Sequence, residues 1–265
     1  MKIEGLQKLT LLDYPGYTAC TVFLSGCNFR CPFCHNAEIA FLPHFPEGKE
    51  DLAPVASLPK EREDLAPIPA SPSKGRRTAC GGRVSTPDLL AFLKKRQGLL
   101  DGVCITGGEP TLWPDLPELL QQIKNLGFAV KLDTNGTNPA LLQKMLKQQL
   151  LDYIAMDIKA GPNNYARLAG TSVDLKKIQT SIDCIRNSGL TYEFRTTVVN
   201  PLHTQQDFKE IAIWLQGIKA YYLQPFVLRN TVPNQKLLSP TNEELQRYLA
   251  ILHTTIPAAT IRGRE

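Results

Sequence analysis

The chain has 265 residues, 43% of them hydrophobic, and a formal net charge of +5, enough for one large α/β domain or two small ones. No apolar run approaches the roughly 20 residues that span a bilayer, Met1 to Leu6 lacks the apolar core of a secretory signal, and the cations are dispersed, which argues against a nucleic-acid face. Seven cysteines, an odd number, argue against a disulfide framework and for a reducing cytoplasm.

The first strand is expected at Cys20–Leu24, and it runs into a loop that holds three further cysteines, Cys27, Cys31 and Cys34. From Pro43 to about Ser85 prolines accompany Glu, Lys and Ser, and Glu50–Pro54 is nearly repeated at Glu63–Pro67. Proline at that density cannot donate to helix or sheet ladders, so residues 43–85 are expected to form a mobile, disordered insertion. The organisation expected is therefore residues 1–42, with the first strand and the cysteine loop, then the insertion, then the rest of the same domain over 86–265. Cys80, at the end of the insertion, is expected to be a free surface thiol.

Ser85-Thr86-Pro87-Asp88 is a helix-start signal, and Leu89, Leu90, Phe92 and Leu93 supply the apolar face. Strands are then expected at 102–106, 129–132, 153–157, 193–199 and 220–224, with one more at 259–262. Helices are expected near 114–126, 139–149, 174–188, 205–215 and 241–253. Six strands alternating with helices predict a parallel α/β sheet, in which chemistry sits beyond the C-terminal strand ends. Periodicity alone leaves a barrel and a doubly wound sheet both open. Cys27–Cys34, Gly107-Gly108-Glu109-Pro110, Asp133-Thr134-Asn135-Gly136 and Asp157-Ile158-Lys159 all fall on that rim.

The three loop cysteines stand at C-x3-C-x2-C spacing within eight residues. Thiolate sulfur is the ligand type selected by iron–sulfur clusters, zinc and cuprous ions. A structural zinc site needs a fourth ligand. His35 is adjacent to Cys34 and so poorly placed to share its metal, and Cys80 is the other candidate. A redox dithiol of Cys31 and Cys34 would leave Cys27 surplus. A four-iron cluster on three thiolates keeps one iron open to another ligand. His35 itself is expected to support the loop by hydrogen bonding, and Cys20, Cys104 and Cys184 to pack in the core.

Cys27, Cys31 and Cys34, with aromatic Phe33 before the last, match the signature of radical S-adenosylmethionine enzymes. The longer string from Leu12-Asp13-Tyr14-Pro15-Gly16 through Phe23 to Asn36 resembles the activating enzymes of glycyl-radical enzymes, most closely those of anaerobic ribonucleoside-triphosphate reductase. The resemblance covers residues 5–40 and about 100–230, and it implies a partial (β/α)6 TIM-like barrel. It also implies a 4Fe–4S cluster on Cys27, Cys31 and Cys34 that cleaves S-adenosyl-L-methionine reductively, giving a 5′-deoxyadenosyl radical. That radical would take a Cα hydrogen from a glycine of the partner, with ferredoxin or flavodoxin as electron donor.

The resemblance assigns the cosubstrate to Gly107, Gly108 and Glu109 at its amino group and Phe33 beside the adenine. Lys159 and Arg195 are expected at its carboxylate, and Asp133, Thr134 and Asp157 at a monovalent cation next to it. Capping of the following helix by Asp133 or Asn135 is the plain alternative for that group. Two other functions fit the same residues: a radical enzyme acting on a small molecule, like 7-carboxy-7-deazaguanine synthase, and a non-catalytic zinc-binding interaction module.

Overall fold

A computed structural model describes residues 1–42 and 82–263, so the insertion expected over 43–85, apart from its last four residues, and Cys80 lie outside the described residues. Eight strands form one sheet in the order β1 to β8: Ile3–Thr10, Ala19–Leu24, Gly102–Gly107, Ala129–Thr134, Tyr153–Asp157, Thr191–Val198, Tyr221–Pro225 and Ala259–Ile261. The pairs from β2 to β8 are all parallel, and only β1 against β2 is antiparallel. The strands β1 and β8 are the two edges, so the barrel is open.

The helices are α1 Ala37–Ala40, α2 Thr86–Lys94, α3 Leu116–Asn125, α4 Pro139–Lys147, α5 Tyr165–Ala169, α6 Leu175–Arg186, α7 Gln205–Trp214 and α8 Asn242–Leu252. Six βα units, from β2–α2 to β7–α8, form the expected partial barrel, and β8 is the extra strand anticipated at 259–262. The strand β1 was not anticipated. Only its first three residues are buried consecutively before exposed ones follow, so it shows no clean alternation.

Each long helix starts where local chemistry allows it. Ser85 accepts from the Asp88 N–H before α2, and Asn138 accepts from the Leu141 N–H before α4. Thr204 with Asp207, and Thr241 with Glu244, close capping boxes before α7 and α8.

The two faces of the sheet differ in kind. Cys20, Val22 and Leu24, Val103 and Ile105, Val130 and Leu132, and Ile154 and Met156 join the main core under the helices. The alternate residues point the other way by the two-residue period of a strand. They include Thr21, Cys104, Lys131, Asp133, Asp157, Glu193 and Arg195, so the barrel interior is polar. Its floor is closed by Tyr14, whose ring lies in T-shaped contact with Tyr153 at 5.8 Å and leaves no room for a Cβ at Gly102. This gives the Asp13–Gly16 turn a structural role.

Candidate active site

The cysteine loop leaves β2 at Leu24 and is held from several sides. The Gly26 N–H donates to the Ile39 carbonyl (2.9 Å), the Arg30 N–H to Ala169 (2.7 Å) and the Asn234 N–H to Pro32 (3.1 Å). His35 bonds the Val227 carbonyl through Nε2 (2.8 Å) and stacks on Phe226, while its own carbonyl accepts from the Thr231 hydroxyl (2.9 Å). The supporting role expected of His35 is therefore present, and its Nε2 is already engaged.

Cys27, Cys31 and Cys34 are all free thiols. Burial pushes Cys27 and Cys31 up to about 12 and Cys34 to about 11. The sulfurs lie near enough for charge on one to raise another: Cys31 acts on Cys27, Cys34 on Cys31, and Cys27 on Cys34. The Lys159 ammonium, close to all three, acts in the opposite sense. Among the described residues no group of three His, Cys, Asp or Glu side chains closes on a single metal ion. A cluster that takes one thiolate on each of three irons asks for a wider spread than one ion does.

Gly107 and Gly108 bring the end of β3 against this loop. A Cβ on Gly107, which has φ +118, would lie 2.3 Å from the Leu24 carbonyl oxygen, and one on Gly108 would lie 1.9 Å from that of Gly26. Only glycine permits that approach. The Gly108 and Glu109 N–H groups then donate to Leu24 (2.9 Å) and Gly26 (2.8 Å).

Glu109 holds its carboxylate among donors from its own chain. It is 1% exposed. Its Oε1 accepts from the Thr111 N–H (3.0 Å) and the hydroxyls of Thr111 (2.5 Å) and Thr134 (2.7 Å), and its Oε2 from the Asn135 N–H (2.5 Å). Burial raises its pKa, with those donors pulling the other way. Glu109 thus ties the loop after β3 to the loop after β4.

Asp133, Asp157, Lys159 and Arg195 do meet, as one ionic chain. Arg195 donates to Asp157 (2.5 Å) and Asp133 (3.1 Å), Lys159 donates to Asp157 (2.9 Å), and Lys131 donates to Asp133. Burial alone would raise both carboxyls, but Arg195 and then Lys159 hold Asp157 well below the usual range, and Arg195 and then Lys131 lower Asp133. Arg195 also lies 3.8 Å from the buried Glu193, which Arg262 pairs, so four cations stand against three carboxylates and one positive charge is in excess. That balance suits a ligand carboxylate, and the Thr134 hydroxyl beside it donates to Glu109. Phe33 is buried in the core beside the His203 ring, 6.4 Å between centroids.

Three members of the site escape sequence reading. Lys131 is 1% exposed, and its only signal is a lysine between Val130 and Leu132 in a central strand. Below it Glu193, fully buried, is held by both Nη1 and Nη2 of Arg262 (2.8 Å each) and by the Tyr153 hydroxyl (2.7 Å). His203 accepts from the Val199 N–H at Nδ1 (3.0 Å) and bonds the Lys159 carbonyl through Nε2 (2.9 Å), bracing the strand end that carries Lys159.

The open parallel barrel thus carries three free thiols on the loop after its first parallel strand. The Radical SAM superfamily model matches residues 21–215, and the chain belongs to that superfamily. It is a radical SAM oxidoreductase. A protein of Methanocaldococcus jannaschii, named as a glycyl-radical enzyme activating enzyme, is 27% identical over 98% of this chain and 95% of its own. The pyruvate formate-lyase-activating enzyme of Clostridium pasteurianum is 22% identical over 82% of this chain and 77% of its own. In fold, Streptococcus suis SuiB is similar with a TM-score of 0.60 at 13% identity, over 92% of this chain and 48% of that one.

Superfamily membership implies a 4Fe–4S cluster and S-adenosylmethionine. The residues present fit both. The donor set is all thiol, and the polar interior beside it carries an excess cation for a carboxylate.

Proposed function

We propose that this protein is an activase that cleaves S-adenosylmethionine reductively and generates a glycyl radical on a partner enzyme, with anaerobic ribonucleoside-triphosphate reductase as that partner. The observation that carries the reading is the convergence of the Cys27–Cys34 loop, the Gly107–Glu109 turn and the Lys159–Asp157–Arg195–Asp133 chain on one end of the barrel. End-to-end similarity to a protein named as a glycyl-radical enzyme activating enzyme supports the activase part.

When bound, the cluster would supply one electron to the sulfonium and an open iron for the amino and carboxylate groups. The chain's residues do the rest by position. Cys27, Cys31 and Cys34 hold the cluster, and Gly107 and Gly108 line the amino end of the cosubstrate. Lys159 and Arg195 attract its carboxylate, and Glu109 orders the loops and, with a single donor on Oε2, has a lone pair left for the amine. A cation at Asp133, Thr134 and Asp157 would enter only by displacing an ammonium or guanidinium already there. Phe33 shapes the wall under the adenine. Tyr14 and the packed floor keep water from the lower end of the interior.

An acidic ferredoxin or flavodoxin suits the net charge of +5 as electron donor, and a cytoplasmic setting keeps the thiols reduced. Anaerobic reconstitution with iron and sulfide, followed by reduction, should give visible absorption and 5′-deoxyadenosine from S-adenosylmethionine. Adding the reductase should then yield a glycyl-radical doublet in the electron paramagnetic resonance spectrum. Alanine at any one of Cys27, Cys31 or Cys34 should abolish the nucleoside product. Zinc binding without a chromophore would end the proposal.

A further inference from the structure

The cysteine loop meets the C-terminal end of α5 in an unusually close backbone contact. Gly170 caps α5 in the left-handed conformation, φ +68, and a Cβ on it would lie 2.1 Å from the Arg30 carbonyl oxygen and 2.6 Å from the carbonyl carbon. One residue earlier, the Ala169 carbonyl, left free by the end of the helix, accepts from the Arg30 N–H at 2.7 Å and lies 3.9 Å from the Cys31 sulfur. Arg30 is gripped on its other side as well. Its Nη1 donates to the carbonyls of Cys27 (2.5 Å) and Phe29 (2.8 Å), and the guanidinium sits over the Phe41 ring at 5.0 Å. The helix is anchored in turn by Tyr165, fully buried, in T-shaped contact with Phe29 at 6.4 Å and Trp214 at 5.9 Å.

Arg30 stands between two of the three thiols, so whatever fixes its backbone fixes their separation. We propose that the seat of Arg30 on Ala169–Gly170 sets the spacing of Cys27 and Cys31, which makes Gly170 and Arg30 positioning residues for the cluster. The inference rests on those thiols being the cluster ligands. A cluster accepts its thiolates only at matched positions, and groups that orient ligands govern how firmly the metal is held. No side chain fits at position 170 unless the Arg30 carbonyl retreats, and Cys31 would move with it.

The test compares Gly170→Asn with Gly189→Asn in the full chain. Asparagine tolerates the left-handed conformation that both glycines adopt, but Gly189 (φ +77) has nothing within 4 Å of a Cβ. After anaerobic reconstitution, the variants are read by iron retained against a chelator and by the spectrum of the reduced cluster. Gly189→Asn should match the parent. Gly170→Asn should retain iron on the order of tenfold less firmly and show a shifted spectrum. Parent-like retention and spectrum in Gly170→Asn would overturn the proposal.

If circular dichroism shows that Gly170→Asn does not fold, Gly170→Ala, the smallest side chain that meets the Arg30 carbonyl, is read in its place: weakened retention supports the seat and parent-like retention sinks it. Arg30→Leu, which leaves the backbone contact, reads the guanidinium ties alone, and parent-like retention there would end the role of the Arg30 side chain. Cys27→Ala run in parallel separates the premises: full iron and an unchanged spectrum there would refute the ligand assignment, whatever Gly170 does.

Discussion

Glu109 shows how a buried charge can order the loops of a site. Its two oxygens receive four donors from Thr111, Thr134 and Asn135. Glutamine has the same shape but brings an NH2 where at least one donor now points, so it leaves a buried donor unsatisfied. Glu109→Gln is expected to cost about 1–3 kcal/mol of stability, read by urea unfolding, and to loosen the loops after β3 and β4. An unchanged midpoint would show that those loops are held by something else. Lys159 belongs to the same scale, since it touches the Asp157 carboxylate and its charge acts on all three thiols. Lys159→Met removes the charge and keeps the stem, so the KM for S-adenosylmethionine should rise more than kcat falls. A fall in kcat with KM unchanged would point instead to a role confined to the chemical step.

At the scale of elements, the short strand β8 carries more than its three residues indicate. Directly after it, Arg262 reaches back to the fully buried Glu193 with a two-toothed pairing and lies over the Tyr222 ring at 3.5 Å. Removing Arg262 leaves Glu193 with the Tyr153 hydroxyl and the more distant Arg195 guanidinium (3.8 Å). Arg262→Ala is expected to destabilise the chain by about 3 kcal/mol, because an uncompensated buried carboxylate remains. The double variant with Glu193→Gln should recover part of that loss. A double variant no better than Arg262→Ala would show that charge burial is not the cause.

For the whole molecule, pH acts through groups that the fold keeps in one protonation state. Burial lowers the pKa of His203, whose Nδ1 must stay unprotonated to accept from the Val199 N–H, and burial lowers His35 in the same sense. The unfolded chain therefore binds those protons more readily. Stability is fully present above the ordinary histidine value of about 6.5 and declines as pH falls below it. The depressed carboxyls of Asp133 and Asp157 add a further loss only below their ordinary value, near about 4. Thermal melts should show a midpoint that drops between about pH 7.5 and about pH 5.5. His203→Gln should flatten that slope, and a slope identical to the parent's would assign it to His35 or to other groups.

The strands β2 to β7 and the helices that follow them were legible in the chain, because each carries a local record: an apolar run, a period of 3.6, or a capping residue such as Ser85 or Asn138. So was the cysteine trio, whose C-x3-C-x2-C spacing with Phe33 before the last carries the resemblance to radical S-adenosylmethionine enzymes. The ionic chain and the seat at Gly170 were not. Lys131, Glu193 and Arg262 lie on three different strands or their ends, and their pairing depends on sheet register and inward direction. Glycine at 170 reads locally as an ordinary helix cap, while its second reason, the Arg30 carbonyl, arrives from 140 residues earlier in the chain. The sequence by itself determined the six repeating βα units and the soft-metal ligands on the cysteine loop, since both are set by neighbours along the chain. Only the tertiary structure decided which charges neutralise one another and whether Glu109 faces inward, since burial and Coulomb energy depend on distance through space.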